Sequence, residues 1–340
     1  MTAKLSDATL DAAALAAFLG PRLEGDWGAL EIRRFAGGQS NPTFRLDAGE
    51  RSYVLRKRPG GPLLPSAHAI DREYRVMSAL AGTGVPVPVM RLFCADESIL
   101  GASFFVMDFV PGRVAKEPAL PGATPAERAA IYDAANATLA SIHKVDLATA
   151  GLSDFGRPTG YYARQVKRWT EQYRAAETKL IPAMEALIAW LPDRIPADER
   201  PALVHGDFRL ENLILHPERP HVSAVLDWEL STLGDPLGDL AYHCLPWRLP
   251  PQAFWGMAGT RIPEGVPSEA DYVAAYCDRT GRDGIEGWNF YVAFALFRMA
   301  AILQGVLKRA LDGNASSPDA AERGAMAGLC AEAGLEAAEE

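Results

Sequence analysis

Three polar side chains in the second half of the chain have the types and the spacing of a catalytic set. Asp207 and Asn212 follow the short apolar run 203–204, and Asp227 follows the apolar run 224–226, so both acids are expected where predicted strands end. A carboxylate can accept a proton from a hydroxyl group, while an amide oxygen and a second carboxylate can hold Mg²⁺ on the phosphates of ATP. The set therefore predicts phosphoryl transfer, with Asp207 as the base and Asn212 and Asp227 as metal ligands.

The order and spacing of this set resemble those of the aminoglycoside and choline phosphotransferase family, the small-molecule relatives of protein kinases. Protein kinases carry His-Arg-Asp, an Asn five residues after that Asp, and a metal-binding Asp further along. Here the segment reads His205-Gly206-Asp207, and Asn212 has the same offset from Asp207. A plain strand-turn-strand with capping side chains would leave the acid at the end of the second strand unexplained.

The resemblance covers about residues 30–310 and implies an α+β, two-lobed, protein-kinase-like fold. Residues 1–110 would form an N-terminal nucleotide-binding lobe with an antiparallel sheet and a helix. Residues 111–340 would form a larger, mostly helical C-terminal lobe for catalysis and acceptor binding. The resemblance also implies ATP and Mg²⁺ as cofactors.

Three sequence blocks resemble one branch of this family, which is related to the kinase-like domains attached to acyl-CoA dehydrogenases. They are His205-Gly206-Asp207, Asp227-Trp228-Glu229 and residues 234–241. This branch implies a hydroxylated acid or its CoA thioester as the small-molecule hydroxyl acceptor. By the same resemblance, Asp239 would tie down the catalytic loop without contacting the substrate.

A turn rich in small residues lies between two predicted strands near the N-terminus, at residues 30–35 and 43–46. Small residues between two strands allow backbone N–H groups to approach phosphates. The candidate phosphate contacts in this turn are Gly37, Gly38, Ser40 and Asn41. A plain hairpin without a ligand is the alternative.

Residues 52–58 predict a third strand, in which Val54 and Arg56 share one face. By resemblance, Val54 would lie over the adenine and Arg56 would contact the phosphates, paired with Glu73 of the following predicted helix. Arg56 replaces the usual Lys, and its guanidinium can bind phosphate through two hydrogen bonds. Lys57 is the alternative if the register differs by one residue, and a solvated basic strand end is another.

The next apolar strand, residues 104–109, runs into Pro111-Gly112. The resemblance makes this segment the hinge, where the backbone at Asp108 and Val110 would read the adenine edge. Asp154-Phe155-Gly156 spells the metal motif of protein kinases, but it precedes Asp207 in the chain. We therefore interpret it as a loop without a metal.

Two predicted helices follow the hinge. Thr124, Pro125 and Glu127 form a helix start, and this helix is expected to end near His143, which we interpret as a helix residue and not a catalyst. The start of the next helix carries the aromatic and polar side chains Tyr161, Tyr162, Arg164, Gln165, Lys167 and Arg168. They could hold an anionic acceptor, or they could belong to an ordinary amphipathic helix.

Composition narrows the classes of partner. The 340 residues include 49% hydrophobic residues, enough for a full core in about two domains. The formal net charge of -9 opposes nucleic-acid binding, which needs a basic face. The four cysteines are far apart in the sequence and show neither zinc nor redox spacing. A small-molecule partner is therefore expected, and no nucleic acid.

Two segments bear on membrane association. The N-terminus carries Asp7 and Asp11 without a basic stretch before an apolar run, so it is a poor signal peptide. The apolar segment 290–307 is interrupted by Arg298 and Gln304, which predicts a buried helix and not a membrane span. We therefore expect a cytoplasmic protein without a membrane partner. The oligomeric state is left open.

Two other functions fit parts of the sequence. A nucleotide-binding pseudokinase with a regulatory role is compatible with Arg56 in place of Lys, although the catalytic set is intact. A metal hydrolase could use His205 and His243 together with Asp207 and Asp227. That function would leave the basic strand, the helix glutamate and the hinge without a role.

Overall fold

The structure is a computed structural model, and it describes residues 10–35, 41–59, 70–197, 200–253, 256–314 and 319–340. The chain divides into two compact units. Unit 1 comprises Met1–Ala81 and Val87–Val110, and unit 2 comprises Gly82–Pro86 and Pro111–Glu340.

Unit 1 is built around a five-stranded antiparallel sheet. Its helices are α1 Ala12–Leu19, α2 Ile70–Leu80 and α3 Glu97–Leu100. Its strands are β1 Glu31–Arg34, β2 Thr43–Ala48, β3 Arg51–Lys57, β4 Met90–Cys94 and β5 Phe104–Asp108. The strand order is β1-β2-β3-β5-β4, so β3 lies at the centre of the sheet.

The two faces of the sheet follow from the alternation of side chains along each strand. In β2, Phe44 and Leu46 are buried while their neighbours are more exposed. In β3, Leu55 joins Phe44 and Leu46 in an apolar core that also contains residues of α1. Val54 and Arg56 therefore project from the opposite face of β3, as the sequence predicts.

Helix α2 lies against β4 and β5. Its apolar stripe is buried and includes Ile70, Val76 and Met77. Glu73 lies among these residues and is only 1% exposed. A carboxylate so deeply buried is stable only when a cation or hydrogen-bond donor pairs with it. The side chain of Glu73 therefore requires such a partner.

Unit 2 is mostly helical and carries two small antiparallel sheets, β6-β8-β9 and β10-β7. Its helices are α4 Pro125–His143, α5 Tyr161–Ala176, α6 Pro182–Trp190, α7 Leu237–His243, α8 Leu245–Arg248, α9 Glu269–Thr280, α10 Trp288–Leu311, α11 Ala320–Ala325 and α12 Ala327–Glu339. Its strands are β6 Arg113–Val114, β7 Ala202–Val204, β8 Leu213–Leu215, β9 Val222–Val225 and β10 Thr232–Gly234.

Helix α4 begins and ends where the sequence predicts. The Thr124 side chain accepts the backbone N–H of Glu127, and the Glu127 side chain accepts the backbone N–H of Thr124. Pro125 occupies the first turn, where its missing N–H removes no helical hydrogen bond. The helix ends at His143.

Helix α10 forms the centre of the helical core and contacts α5, α6, α7, α8, α11 and α12. It contains the apolar segment predicted to be a buried helix, and both Arg298 and Gln304 are buried within it. The helix is long and apolar enough to span a membrane. However, 78% of its most apolar stretch is buried inside the protein, as in a core helix.

Two glycines of this core have different surroundings. A Cβ atom on Gly324 of α11 would lie 2.6 Å from backbone and side-chain atoms of Leu307 in α10. A Cβ atom on Gly305 of α10 would meet only the flexible end of Arg309, at 3.6 Å. The close packing of α10 and α11 therefore requires Gly324, whereas Gly305 has room for a methyl group.

His243 at the end of α7 lies among aromatic rings. Its ring stacks on Tyr272 with centroids 5.0 Å apart, and the ring of Phe208 is 5.4 Å away. Burial disfavours the imidazolium ion and lowers the pKa of His243 to about 4. The folded protein therefore keeps this side chain neutral in mild acid, where an exposed histidine would be protonated.

Replacing Gly324 with Ala should destabilise unit 2 by about 1–3 kcal/mol, because the new methyl group overpacks the α10–α11 contact. Replacing Gly305 with Ala should be neutral or stabilise the protein by up to about 1 kcal/mol, because it removes a glycine from a helix interior. Denaturant unfolding of both variants checks this pair. Equal effects of the two substitutions would contradict the packing described here.

Replacing His243 with Phe should reduce the loss of stability in mild acid. The unfolded chain binds a proton near pH 6.5 and the folded protein only near pH 4, so the free energy of unfolding falls between those values. The slope from this group is about 1.4 kcal/mol per pH unit, roughly 3 kcal/mol in total. Denaturant titrations between neutral pH and about pH 4.5 measure it, and parallel curves for wild type and variant would refute a neutral His243.

Candidate active site

The chain turns sharply after β7, and Gly206 makes this turn. Its φ is +83°, and a Cβ atom at this position would lie 2.7 Å from the carbonyl oxygen of Leu230. Only glycine combines this φ with so close an approach of another backbone. The turn leads β7 into residues 205–212, which we call the Asp207 loop.

Asp239 of α7 holds the start of the Asp207 loop. Its carboxylate accepts the backbone N–H groups of His205 at 2.6 Å and Gly206 at 2.8 Å. Burial alone would raise the pKa of Asp239, but the hydrogen bond and charge of His143 and the other neighbours outweigh it, so this pKa is lowered. The carboxylate therefore stays charged while it holds the loop.

His143 of α4 belongs to the same buried network. Its Nε2 is 3.3 Å from Asp239 Oδ2, and its Nδ1 is 2.7 Å from the Tyr276 hydroxyl of α9. The sequence shows only a histidine at a helix end, and that position alone does not reveal a partner. The structure adds His143 to the support of the Asp207 loop.

Asn212 closes the loop onto Asp207. Its Nδ2 donates to the Asp207 carbonyl oxygen at 2.8 Å and to Asp207 Oδ2 at 2.9 Å. The Asp207 N–H donates to Nδ1 of His205 at 3.2 Å. Because the amino group of Asn212 is used on Asp207, the amide oxygen is the atom left for a further ligand.

The β8–β9 hairpin brings Asp227 next to Asn212. The N–H of Leu226 donates to the Asn212 carbonyl oxygen at 2.8 Å, and His205 Nε2 is 2.9 Å from the Leu226 carbonyl oxygen. Asp227 follows directly, with φ at +67°. This left-handed conformation is uncommon for a residue with a side chain, and such strain clusters at functional sites.

Two side chains near Asp207 carry no distinguishing pattern in a single sequence. Arg209 Nε is 3.5 Å from Asp207 Oδ1, and Arg209 Nη1 is 2.7 Å from Glu211 Oε2. Burial and the neighbouring Asp207 carboxylate raise the pKa of the Tyr242 phenol. Arg209 and Tyr242 therefore form part of the surroundings of the Asp207 carboxylate.

Arg298 of α10 is a further residue that the sequence does not assign to the site. It is 6% exposed, and its guanidinium donates a hydrogen bond to the carbonyl oxygen of Gly206. A signal was present, since a charge inside an apolar helix needs an internal partner. The identity of that partner depends on tertiary structure.

Unit 1 contains the predicted pair of Arg56 and Glu73. Arg56 Nε is 3.1 Å from Glu73 Oε2, and the two side chains are 11% and 2% exposed. Lys57 lies on the other face of β3, since side chains alternate along a strand. The structure therefore brings Arg56, and not Lys57, to Glu73.

Gly37, Gly38 and Ser40 lie outside the described residues. Asn41 is described and fully buried, and its carbonyl oxygen accepts the Thr43 hydroxyl at 3.0 Å. Thr43 lies opposite Arg56 in the register of β2 and β3. Thr43, the first residue of β2, therefore lies beside Arg56.

The three predicted adenine contacts differ in their surroundings. Val54 is 7% exposed in the middle of β3. Asp108 ends β5, where its N–H donates to the Val89 carbonyl oxygen at 2.9 Å and its carboxylate forms two hydrogen bonds with Arg91. Val110 is partly exposed and ends unit 1. The N–H of Asp108 is thus already used within the unit.

The six candidate acceptor contacts of α5 separate into two groups. The first group is buried in unit 2, or forms hydrogen bonds or ion pairs within it, and comprises Tyr161, Tyr162, Arg164, Gln165 and Lys167. Arg168 is exposed, packs over the ring of Trp169 at 5.4 Å, and forms no ion pair with the described residues. An ordinary amphipathic helix accounts for most of this set, and Arg168 is the exception.

An apolar cavity of about 70 Å³ adjoins the Asp207 loop inside unit 2. Arg209 and Tyr242, the neighbours of Asp207, belong to its lining. The lining also includes Tyr132, Leu210, Leu245, Leu249 and Met299, with Lys116 as a second cation. The cavity therefore offers hydrocarbon surface beside the Asp207 loop, and Arg209 in its lining lies 3.5 Å from the Asp207 carboxylate.

The residues of the hydrolase alternative are not assembled as a metal site. Across the described ranges, no group of three or more His, Cys, Asp or Glu side chains is arranged to hold a metal ion. His205 is bound to the Leu226 carbonyl group, and His243 lies in the aromatic core. This geometry does not favour a hydrolase.

Comparison with known proteins matches residues 31–288 to the model of a phosphotransferase enzyme family, APH. Mouse acyl-CoA dehydrogenase family member 10 is 52% identical over 309 residues, covering 90% of this chain and 29% of the mouse protein. The chain therefore spans less than a third of the length of that relative.

Two solved structures show the same fold. One from Ralstonia eutropha, provisionally described as an aminoglycoside phosphotransferase, has 50% sequence identity and a TM-score of 0.88 and covers 97% of this chain and 99% of that chain. A thermostable mutant of aminoglycoside phosphotransferase APH(4)-Ia, in a ternary complex with AMP-PNP and hygromycin B, has 18% identity and a TM-score of 0.63, covering 95% and 98%.

These neighbours confirm the predicted α+β, protein-kinase-like fold. The relatives named acyl-CoA dehydrogenase family members confirm the branch that the sequence blocks indicated. With a family model that matches most of its length, the chain belongs to the phosphotransferase enzyme family, whose members are kinase-like enzymes.

Proposed function

We propose that the chain transfers the γ-phosphoryl group of ATP, in the presence of Mg²⁺, to a hydroxyl group of a small molecule. The observation that carries this proposal is the arrangement around Asp207. The Asp207 carboxylate is bound by Asn212 at 2.9 Å, and Asp227 follows the β8–β9 hairpin that begins directly after Asn212. One proton acceptor and two oxygen ligands are the groups that phosphoryl transfer from ATP requires.

Asp207 acts as the base in this proposal. Its carboxylate orients the acceptor hydroxyl and takes its proton as the new phosphate ester forms. Asn212 keeps this carboxylate in one orientation before the substrate binds. Phosphoryl transfer depends mainly on such positioning and on charge neutralisation.

Asn212 and Asp227 hold Mg²⁺ in this proposal. Amide and carboxylate oxygens are ligands that Mg²⁺ prefers, and the hydrogen bonds of Asn212 leave its amide oxygen for a ligand. Bound Mg²⁺ would neutralise charge on the phosphates. The left-handed backbone at Asp227 supports a functional role for this residue.

Residues 1–110 bind the nucleotide in this proposal, and residues 111–340 provide catalysis and acceptor binding. Arg56, held by Glu73, contacts the α- and β-phosphates. The remaining proposed nucleotide contacts are Gly37, Gly38, Ser40 and Asn41 at the phosphates, and Val54, Asp108 and Val110 at the adenine. The complex of APH(4)-Ia with AMP-PNP shows that the same fold accommodates an ATP analogue.

The proposed acceptor is a hydroxy acid or a hydroxyacyl-CoA. The apolar cavity beside the Asp207 loop suits a carbon chain, and Lys116 in its lining suits a carboxylate or a phosphate, whereas Arg209 is already paired with Glu211. The exposed Arg168 adds a further cation in unit 2. The names of the acyl-CoA dehydrogenase relatives agree with an acyl substrate.

One observation favours a second candidate, a nucleotide-binding pseudokinase with a regulatory role. Arg56 stands where kinases of the wider fold carry a lysine. In that case, ATP would bind without transfer of its phosphoryl group. Measurements of binding and of turnover together separate the two functions.

Replacing Asp207 with Asn should lower kcat by about 10²–10⁴-fold, because the amide cannot accept the proton. The affinity for ATP should be retained, because Asp207 is not a nucleotide ligand in this proposal. ADP release with a panel of hydroxy acids and hydroxyacyl-CoAs measures turnover, and calorimetry measures binding. Full turnover by the variant would refute Asp207 as the base, and a wild type that binds ATP without turnover would favour the pseudokinase.

Replacing Asp227 with Asn should weaken binding of Mg-ATP by about tenfold, or ~1.4 kcal/mol, because one charged ligand of the metal is lost. Asp154→Asn is the matched control, since Asp154 belongs to the rival Asp-Phe-Gly motif and should not change the affinity. Calorimetry with and without EDTA isolates the metal contribution. An unchanged affinity in Asp227→Asn, or a loss in Asp154→Asn, would overturn the assignment.

A further inference from the structure

Arg298 is a buried cation in the middle of α10. It is 6% exposed, and it forms no ion pair with any carboxylate of the described residues. Burial of an unpaired guanidinium is costly unless other groups replace its hydration. The groups that contact Arg298 therefore indicate the role of its charge.

The guanidinium contacts two aromatic rings and one backbone carbonyl group. Its Cζ lies 5.3 Å from the ring centre of Trp169 and 5.0 Å from that of Tyr242. These distances are within the range in which the electron-rich face of a ring attracts a cation. Both rings can therefore attract the guanidinium, and an Nη2–H group donates to the carbonyl oxygen of Gly206.

The Gly206 residue is held from both sides by opposite charges. Its N–H donates to the buried carboxylate of Asp239 at 2.8 Å, and its C=O accepts from Arg298. Hydrogen bonds to charged groups are stronger than those between neutral groups. The negative Asp239 and the positive Arg298 thus bind the two ends of the same residue. The carbonyl group bound by Arg298 belongs to the peptide that joins Gly206 to Asp207.

We propose that Arg298 is a positioning residue for Asp207. This inference rests on the proposed function, in which Asp207 is the base. Arg298 fixes the Gly206–Asp207 peptide, so that the Asp207 carboxylate is aimed before an acceptor binds. Trp169 and Tyr242 keep the guanidinium at that peptide, and Tyr242 also lies beside Asp207.

The test compares two buried polar residues of the same helix. Gln304 of α10 is fully buried and donates to the Ala176 carbonyl oxygen at 2.9 Å and to the Thr178 hydroxyl at 2.8 Å. Neither of these hydrogen bonds involves the Asp207 loop. Gln304→Met therefore controls for the loss of a buried polar group, and Arg298→Met tests the contact with Gly206.

Hydrogen–deuterium exchange reports on the loop without any need for activity. Arg298→Met should speed exchange in peptides covering residues 203–213, and Gln304→Met should leave these peptides at the wild-type rate. Thermal melting confirms that both variants are folded. Unchanged exchange in Arg298→Met would overturn the proposal whether or not phosphoryl transfer is observed.

Kinetics then test the link to Asp207. Arg298→Met should lower kcat by about 10-fold or more while KM for ATP stays within about 2-fold, a split that general unfolding does not produce. Arg298→Lys keeps a charged donor but loses the planar guanidinium, so its kcat should lie between that of wild type and that of Arg298→Met. An equal loss of kcat in Gln304→Met would overturn the proposal. Absence of turnover in wild type would count against the proposed function alone, because the exchange experiment still decides the role of Arg298.

Discussion

The contact between the Asp239 carboxylate and the backbone of His205 and Gly206 fixes the start of the Asp207 loop. Two N–H groups converge on one buried charge, at 2.6 and 2.8 Å. His143 supports that charge from α4, and Gly206 allows the Leu230 backbone to approach the turn. A short segment of chain thereby acquires one conformation, although it is neither helix nor strand.

The other polar residues are placed by this segment and by the β8–β9 hairpin. Asn212 returns to Asp207, and Leu226 binds both Asn212 and His205, which brings Asp227 to the same place. Groups that are held in this way need little reorganisation when a substrate binds, and such preorganisation is a large part of enzymatic catalysis. In unit 1 an ion pair orients a side chain in the same way, since the buried Glu73 holds the Arg56 guanidinium.

Local patterns in the sequence predict much of this architecture. The capping box at Thr124 predicts where α4 begins, and strand alternation places Val54 and Arg56 on one face. The hydrogen bond between Asn212 and Asp207 comes from the structure, since the sequence predicts only that both residues serve one reaction. The contacts of His143 and Arg298 could not be predicted, because each joins residues about a hundred positions apart. Such pairs depend on how the helices pack, and a single sequence carries no period that identifies them.

Phosphoryl transfer to a small-molecule hydroxyl is tested by following the γ-phosphoryl group itself. Purified protein is incubated with Mg²⁺, ATP labelled with heavy oxygen in the γ-phosphate, and a pooled panel of hydroxy acids, hydroxyacyl-CoAs, amino alcohols and sugars, and the products are examined by mass spectrometry. We expect one class of phosphate ester that carries the labelled phosphoryl group, absent with Asp207→Asn. Label found only in ATP or in inorganic phosphate, with ATP binding intact and hydroxy acids and hydroxyacyl-CoAs present, would contradict it.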